Sequence, residues 1–311
     1  MVQYKAINFG NASQLSEMGY VVRGWISQIV WSPTGETLAI ADASGVSLYI
    51  NEIAGTPSQF LDNHAGPVKC IAFSRNGRLM ATGSADTTVH LWIIDPETHQ
   101  AKEIFVLEGH DDAVEDIAIS PGGTMLASCS ADRTVRLWNT EIGRLDEVFT
   151  GHTHLISSVS FAMGGQMIVS GAWDNSIRMW DLHGEIMGTI LGTHDDWVRA
   201  LAVSPGGTLL ASASKDMTVR LWDLLDAKAG EILHAHINGA DAVSFSPDGS
   251  LLATGGRDNL IKIWDARNGE QLTTLIGHKK PVLSLAFNPP GTMLASASGD
   301  NQVKLWTVKE D

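Results

Sequence analysis

Residues His194–Asp223, HDDWVRALAVSPGGTLLASASKDMTVRLWD, decide the fold. The stretch holds a histidine, alternating apolar runs, an SPGG turn, a second turn at Lys215-Asp216 and a terminal Trp-Asp. Nearly the same string recurs. Its histidines are His64, His110, His152, His194, His236 and His278, each followed 22 residues later by an aspartate: Asp86, Asp132, Asp174, Asp216, Asp258 and Asp300. Six residues further stands Trp92, Trp138, Trp180, Trp222, Trp264 or Trp306. Four residues before each aspartate is a hydroxyl residue: Thr82, Ser128, Ser170, Ser212, Thr254 or Ser296. One copy is too small to bury its own apolar face, so the copies must pack on one another.

The apolar period within a copy is two, which predicts strands, and the SPGG, SPDG and KDMT segments predict tight reversals. About four strands fit each copy, with no room for a crossover helix. The second strands, such as LLASAS and MLASCS, are rich in alanine and serine and would let neighbouring sheets approach closely.

The spacing of histidine, aspartate and tryptophan, with Gly-His at His110, His152 and His278 and Trp-Asp at Trp180, Trp222 and Trp264, resembles the WD-repeat β-propeller family. The resemblance covers about residues 21 to 308 and implies an all-β, seven-bladed β-propeller of four-stranded antiparallel blades. The first blade is degenerate. Its Ser32-Pro33-Thr34-Gly35 turn is in register, but Val22 takes the histidine position, Ile40 the hydroxyl position and Tyr49 the tryptophan position. Asn63, Thr193 and Ala235 also depart from the glycine before histidine, and DPETHQAKE reads as an enlarged loop between a third and a fourth strand.

A ring of sheets must close, because an open end exposes strand edges. Five residues follow Trp306, too few for a turn and a fourth strand, so the N-terminal run is expected to complete the last blade. The strand-like Tyr4–Phe9 is assigned that role, within residues 3–9, and Gly10–Gly19 reads as a loop. Residues 1–311 then form one propeller domain.

Bulk properties narrow the function. The net charge of −14 argues against a general nucleic-acid or anionic-membrane binder. Cys70 and Cys129 cannot build a disulfide framework or a zinc site and read as buried thiols. No basic-apolar leader or long apolar run is present. The expectation is a soluble cytoplasmic monomer without cofactor or metal.

Serine, histidine and aspartate together invite a hydrolase reading. A triad needs one nucleophile, one base and an oxyanion site, whereas this set occurs six times. Recurrence suits a repeating fold, and the family implies a bracing network from Asp through His and Ser or Thr to Trp. No GxxxxGK[ST], HExxH or GxSxG string accompanies it. The remaining histidines, His90, His99, His154, His183 and His234, read as scattered surface residues.

The resemblance further implies that three positions per blade point to the top face: three and five residues after the histidine, and the residue before the aspartate. In the blade of His152 these include Leu155 and Trp173. In the next they are Trp197, Arg199 and Lys215; the blade of His236 offers Asp241 and Arg257, and the first blade Trp25. Trp31 aligns with Phe73 and reads as core. Trp173, Trp197, Arg199, Lys215 and Arg257 therefore suggest a docking site for a protein or peptide with an acidic or aromatic segment, tryptophan and arginine being favoured anchors. The bland alternative is that the tryptophans cover the upper ends of their blades. A non-enzymatic scaffold is the leading reading. A propeller enzyme, or a sugar- or small-ligand-binding propeller with its site at the channel mouth, is the alternative.

Overall fold

The computed structural model describes residues 4–51, 53–183 and 188–308. They form seven four-stranded antiparallel sheets. Blade one runs Ile26–Trp31, Thr37–Asp42, Gly45–Ile50 and Gln59–Leu61 from the axis outward; blade five runs Val198–Val203, Leu209–Ser214, Thr218–Asp223 and Lys228–His234. Each innermost strand neighbours the next around the ring, and that of blade seven, Val282–Phe287, returns to blade one.

The core is divided among the joints between blades. Seven apolar clusters occur, each drawing on two adjoining sheets. Between blades three and four, for instance, Leu137 and Phe149 pack on Ile156, Ile168 and Trp180. No blade has a core of its own, as expected of a repeat whose unit cannot fold alone. The small residues of the second strands serve this packing. A Cβ on Gly171 would lie 2.5 Å from Val198 of the next blade, so only the missing side chain lets the two sheets approach.

Closure by an N-terminal strand holds, but the segment differs from the expectation. Leu15–Val22 pairs antiparallel with Gln302–Val308, Leu15 opposite Val308 and Val22 opposite Gln302. Residue 3 lies outside the described residues, and residues 4–9 form no strand. Within that run Ile7 is buried in the joint of blades six and seven, its N–H donating to the Gly291 carbonyl at 2.7 Å. The true strand was hidden because a bulge between Glu17 and Gly19 breaks its alternation. Its polar residues also have partners that only the fold supplies: Glu17 accepts from Lys304 Nζ at 2.6 Å.

Candidate functional site

Six blades contain the same four-residue chain of hydrogen bonds. In blade five the Trp222 indole N–H donates to Ser212 Oγ at 2.8 Å, and Ser212 lies 2.7 Å from His194 Nε2. His194 Nδ1 lies 2.8 Å from an Asp216 carboxylate oxygen. An indole N–H can only donate and an ionised carboxylate can only accept. The serine hydroxyl therefore donates to Nε2, and the histidine carries its proton on Nδ1. Equivalent contacts, between 2.7 and 3.0 Å, join the sets of His64, His110, His152, His236 and His278.

The aspartates do more than orient a ring. Asp216 also accepts from the Asp195 backbone N–H at 3.0 Å, from the Thr218 N–H at 2.9 Å and from the Thr218 hydroxyl at 2.6 Å. Burial alone would raise these carboxyls, but the hydrogen bonds from histidine and hydroxyl outweigh it. Asp86 is brought down to about 2, and Asp132, Asp174 and Asp216 are held lower still. Burial pushes His64, His236 and His278 below their ordinary value despite their carboxylate partners. The Gly-His pairing has a steric cause as well: a Cβ on Gly109, at φ +152°, would come within 2.7 Å of the Arg136 guanidinium.

These sets are unsuited to nucleophilic catalysis. Every hydroxyl in them is completely buried, and its oxygen already accepts from a tryptophan. A substrate carbonyl has no approach to oxygens buried in this way.

The same network holds the loops that form the top rim. In six blades the residue before the aspartate donates its N–H to the carbonyl three after the histidine, as from Lys215 to Trp197 at 2.9 Å and from Trp173 to Leu155 at 2.9 Å. A β-bulge then interrupts each innermost strand between the fourth and sixth residues after the histidine, or the equivalent positions of blade one. A bulge re-aims its extra residue. The seven residues so placed, Ser27, Lys69, Glu115, Ser157, Arg199, Asp241 and Leu283, all line a central channel of about 570 Å³.

Around the upper opening stand Trp25, Leu155, Trp173 and Leu283, with Glu115, Arg199 and Asp241. Trp197, Lys215 and Arg257 do not line it. The Trp173 and Trp197 rings stack on each other, 4.0 Å apart and parallel within 1°. Lys215 Nζ caps the far face of the pair, 4.1 Å from the Trp197 centroid, and His154 lies against Trp173 at 5.8 Å.

The expected cationic spot is largely neutralised within the rim. Arg199 and Arg257 both bind Asp241, at 2.7 and 3.1 Å, and Lys215 meets Asp196 at 3.2 Å. Lys69 and Glu115 pair at 2.5 Å. Arg199 and Asp241 are 42 residues apart and belong to different blades, so this pairing had no local signal.

Two sets of residues were missed. The side chain after each bulge faces the next blade: Gln28, Asp116, Ser158 and Ser284 accept the backbone N–H of Ile71, Val159, Leu201 and Ile29. Asp116, half-buried at the channel wall, is pushed up to about 6 by desolvation, against hydrogen bonds from Ser158, Val159 and Ile117. The other is His90, which is buried, lies tilted against the His64 ring at 3.8 Å and 2.7 Å from Glu103, and so is no surface histidine. Its place is held by Arg136, Arg178 and Arg220 in the following blades, a recurrence visible in the sequence. Cys70 and Cys129 are buried free thiols, and burial pushes both well up. Among the described residues no helix is long and apolar enough to cross a membrane.

Comparison with known proteins agrees with this geometry. Six segments match the WD domain, G-beta repeat family: residues 55–92, 101–139, 143–181, 184–223, 229–265 and 269–307. The human intraflagellar transport protein 122 homolog is 36% identical over 67 residues, which are 22% of this chain and 5% of that protein. The Notchless protein homolog of Arabidopsis thaliana is 49% identical over 41 residues, 13% of this chain and 9% of that protein. The chain thus spans less than a tenth of the length of either relative.

Proposed function

This chain belongs to the WD40 family of β-propellers, and from that premise we propose that it is a non-enzymatic scaffold whose top face captures a peptide or protein partner. One observation carries the reading. The six buried networks are chemically almost the same, whereas the seven bulge-directed residues at the channel are hydroxyl, cationic, anionic and aliphatic in turn. A repeating fold demands the first and is indifferent to the second. Variation around the opening suits one asymmetric partner better than a repeated sugar or small-molecule site.

Trp173, Trp197, Leu155 and Trp25 supply aromatic and aliphatic contact area, and Arg199, Lys215, Arg257 and Asp241 supply the polar rim. The scaffold acts as a monomer without cofactor, on proteins rather than nucleic acid or membrane. Two unpaired buried thiols suit a reducing, cytoplasmic compartment.

The test is affinity capture with the wild-type protein and with a Trp173→Ala, Arg199→Ala double variant. Capture should be lost while the melting temperature stays within a few degrees. Asp241 keeps Arg257 as a partner in that variant, so no carboxylate is stranded. Full retention of the captured proteins by the double variant would end the assignment.

A further inference from the structure

One loop segment recurs on the top of the six histidine-bearing blades: the two residues after the histidine. In each histidine-bearing blade the first of them donates its backbone N–H to the network aspartate, as Asp111 does to Asp132 at 3.1 Å and Lys279 to Asp300 at 2.9 Å. The bracing therefore anchors these backbones while leaving their side chains to solvent. Blade three carries Asp111-Asp112 there and blade seven carries Lys279-Lys280, all four exposed. Among the described residues none of the four makes an ion pair, unlike Asp195 and Asp196 of blade five, which meet Arg220 and Lys215. Nothing in the fold calls for two bare anions in the top loop of blade three and two bare cations in that of blade seven, three blades away round the ring.

Apolar surface stands beside the cationic loop. Trp25 is 59% exposed. A Cβ on Gly299 would lie 3.8 Å from the Trp25 ring and 3.6 Å from Lys280 Cβ, so ring and lysine flank one spot. Trp25 and Leu283 both line the upper opening.

We propose that the opening takes an extended peptide segment of a partner protein with oppositely charged halves. Its carboxylates lie over Lys279-Lys280, an aromatic or aliphatic side chain covers Trp25 and Leu283, and its basic residues lie over Asp111-Asp112. This rests on the top-face reading above and adds the direction in which the peptide runs. Unpaired charges on opposite sides of a mouth steer and orient a ligand that is itself dipolar, and salt screens the effect.

The experiment is selection from a phage-displayed random dodecapeptide library on the wild-type protein at low salt. Enriched peptides are then synthesised with a fluorescein label and titrated by anisotropy. Enriched sequences should share an acidic block, a large apolar residue and a basic block in one order. Affinity should fall by about tenfold or more on the variant Lys279→Glu, Lys280→Glu, Asp111→Lys, Asp112→Lys, and peptides with the blocks reversed should gain on it. All four positions are exposed, so an unchanged melting curve is the expected control.

Peptides without an acidic block, or affinities within about twofold on the swapped variant, overturn the charge assignment and leave the top-face reading standing. If no peptide is enriched, or if those enriched bind the Trp173→Ala, Arg199→Ala variant undiminished, the parent reading falls as well. Sedimentation showing that the wild type pairs with itself and the swapped variant does not would replace the peptide with a second copy of this chain.

Discussion

Blade five and blade one occupy equivalent places in the ring and are braced in different ways. Blade five has the full chain from Trp222 through Ser212 and His194 to Asp216. Blade one has Val22, Ile40 and Tyr49 at the corresponding positions. Tyr49 is completely buried, its hydroxyl meeting the Arg23 guanidinium and, at 3.4 Å, the Gly55 carbonyl. Asp42 turns to its own loop and accepts from the Ser44 N–H at 2.7 Å. The sheet forms regardless, because Ile29, Trp31, Ile40 and Tyr49 pack on Ala295, Val303 and Leu305 of blade seven. Burial between blades makes the sheet, and the polar chain adds stability and holds the top loops. Blade one also lies at the joint where the two chain ends meet, and Arg23 donates its N–H to Asn301 of the last blade at 2.9 Å.

Acid should separate the two blades most strongly. Asp86, Asp132, Asp174, Asp216 and Asp300 titrate below their ordinary range in the folded protein, so the unfolded chain takes up protons first and stability is lost as pH falls below about 4. His64, His236 and His278, depressed by burial, add a loss of the same sign from about pH 6.5 downward. Hydrogen exchange at pH 3 to 4 should therefore loosen blades three to five, which carry Asp132, Asp174 and Asp216, before blade one. Uniform loosening would break the comparison.

Substitution comes next in size. His194→Ala removes a buried ring, deprives the Ser212 hydroxyl of its acceptor and takes one of several donors from Asp216, at an expected cost of about 3 kcal/mol. Arg23→Ala, read by the same denaturant titration, should cost about 1 kcal/mol. Equal losses would mean that the Arg23–Tyr49 contact is a full equivalent of the network. Tyr49→Phe sharpens the point: it keeps the ring packing, removes one hydroxyl and should cost about 1 kcal/mol or less.

The smallest effect concerns the channel wall. Asp116 runs opposite to the other carboxyls. Its folded value is raised to about 6, so the stability it contributes is present below about pH 4 and is lost as pH rises through 6. Asp116→Asn removes that compensation. The melting temperature of this variant should drop more steeply between pH 6 and 4 than that of the wild type; parallel curves would show that Asp116 does not titrate there.

Much of the fold was legible because its signals are local or strictly periodic. The constant spacing of His194, Asp216 and Trp222, repeated five more times, needs no knowledge of neighbours. Trp31 could be read as core from its alignment with Phe73, and it lies in the joint with blade seven. The closing strand was legible as a need but not as a segment, since Met18-Gly19 interrupts the alternation that identifies strands. The top-rim positions were found by counting from each histidine. Their charge state was not, because Arg199 and Asp241 meet across a blade boundary. His90 lost its meaning when read alone; set against Arg136, Arg178 and Arg220, it is the member of a series.

By itself the sequence determined that seven similar units must pack on one another, and its resemblance to the WD-repeat family implied the ring and the polar brace inside six of them. A unit of about four strands with one apolar pattern buries its faces only against its neighbours. Only the tertiary structure decided which residues close the ring, which side chains the bulges turn into the channel and which charges remain without partners. Those outcomes depend on contacts between residues one or more repeats apart, and such contacts exist only once the blades have taken their places.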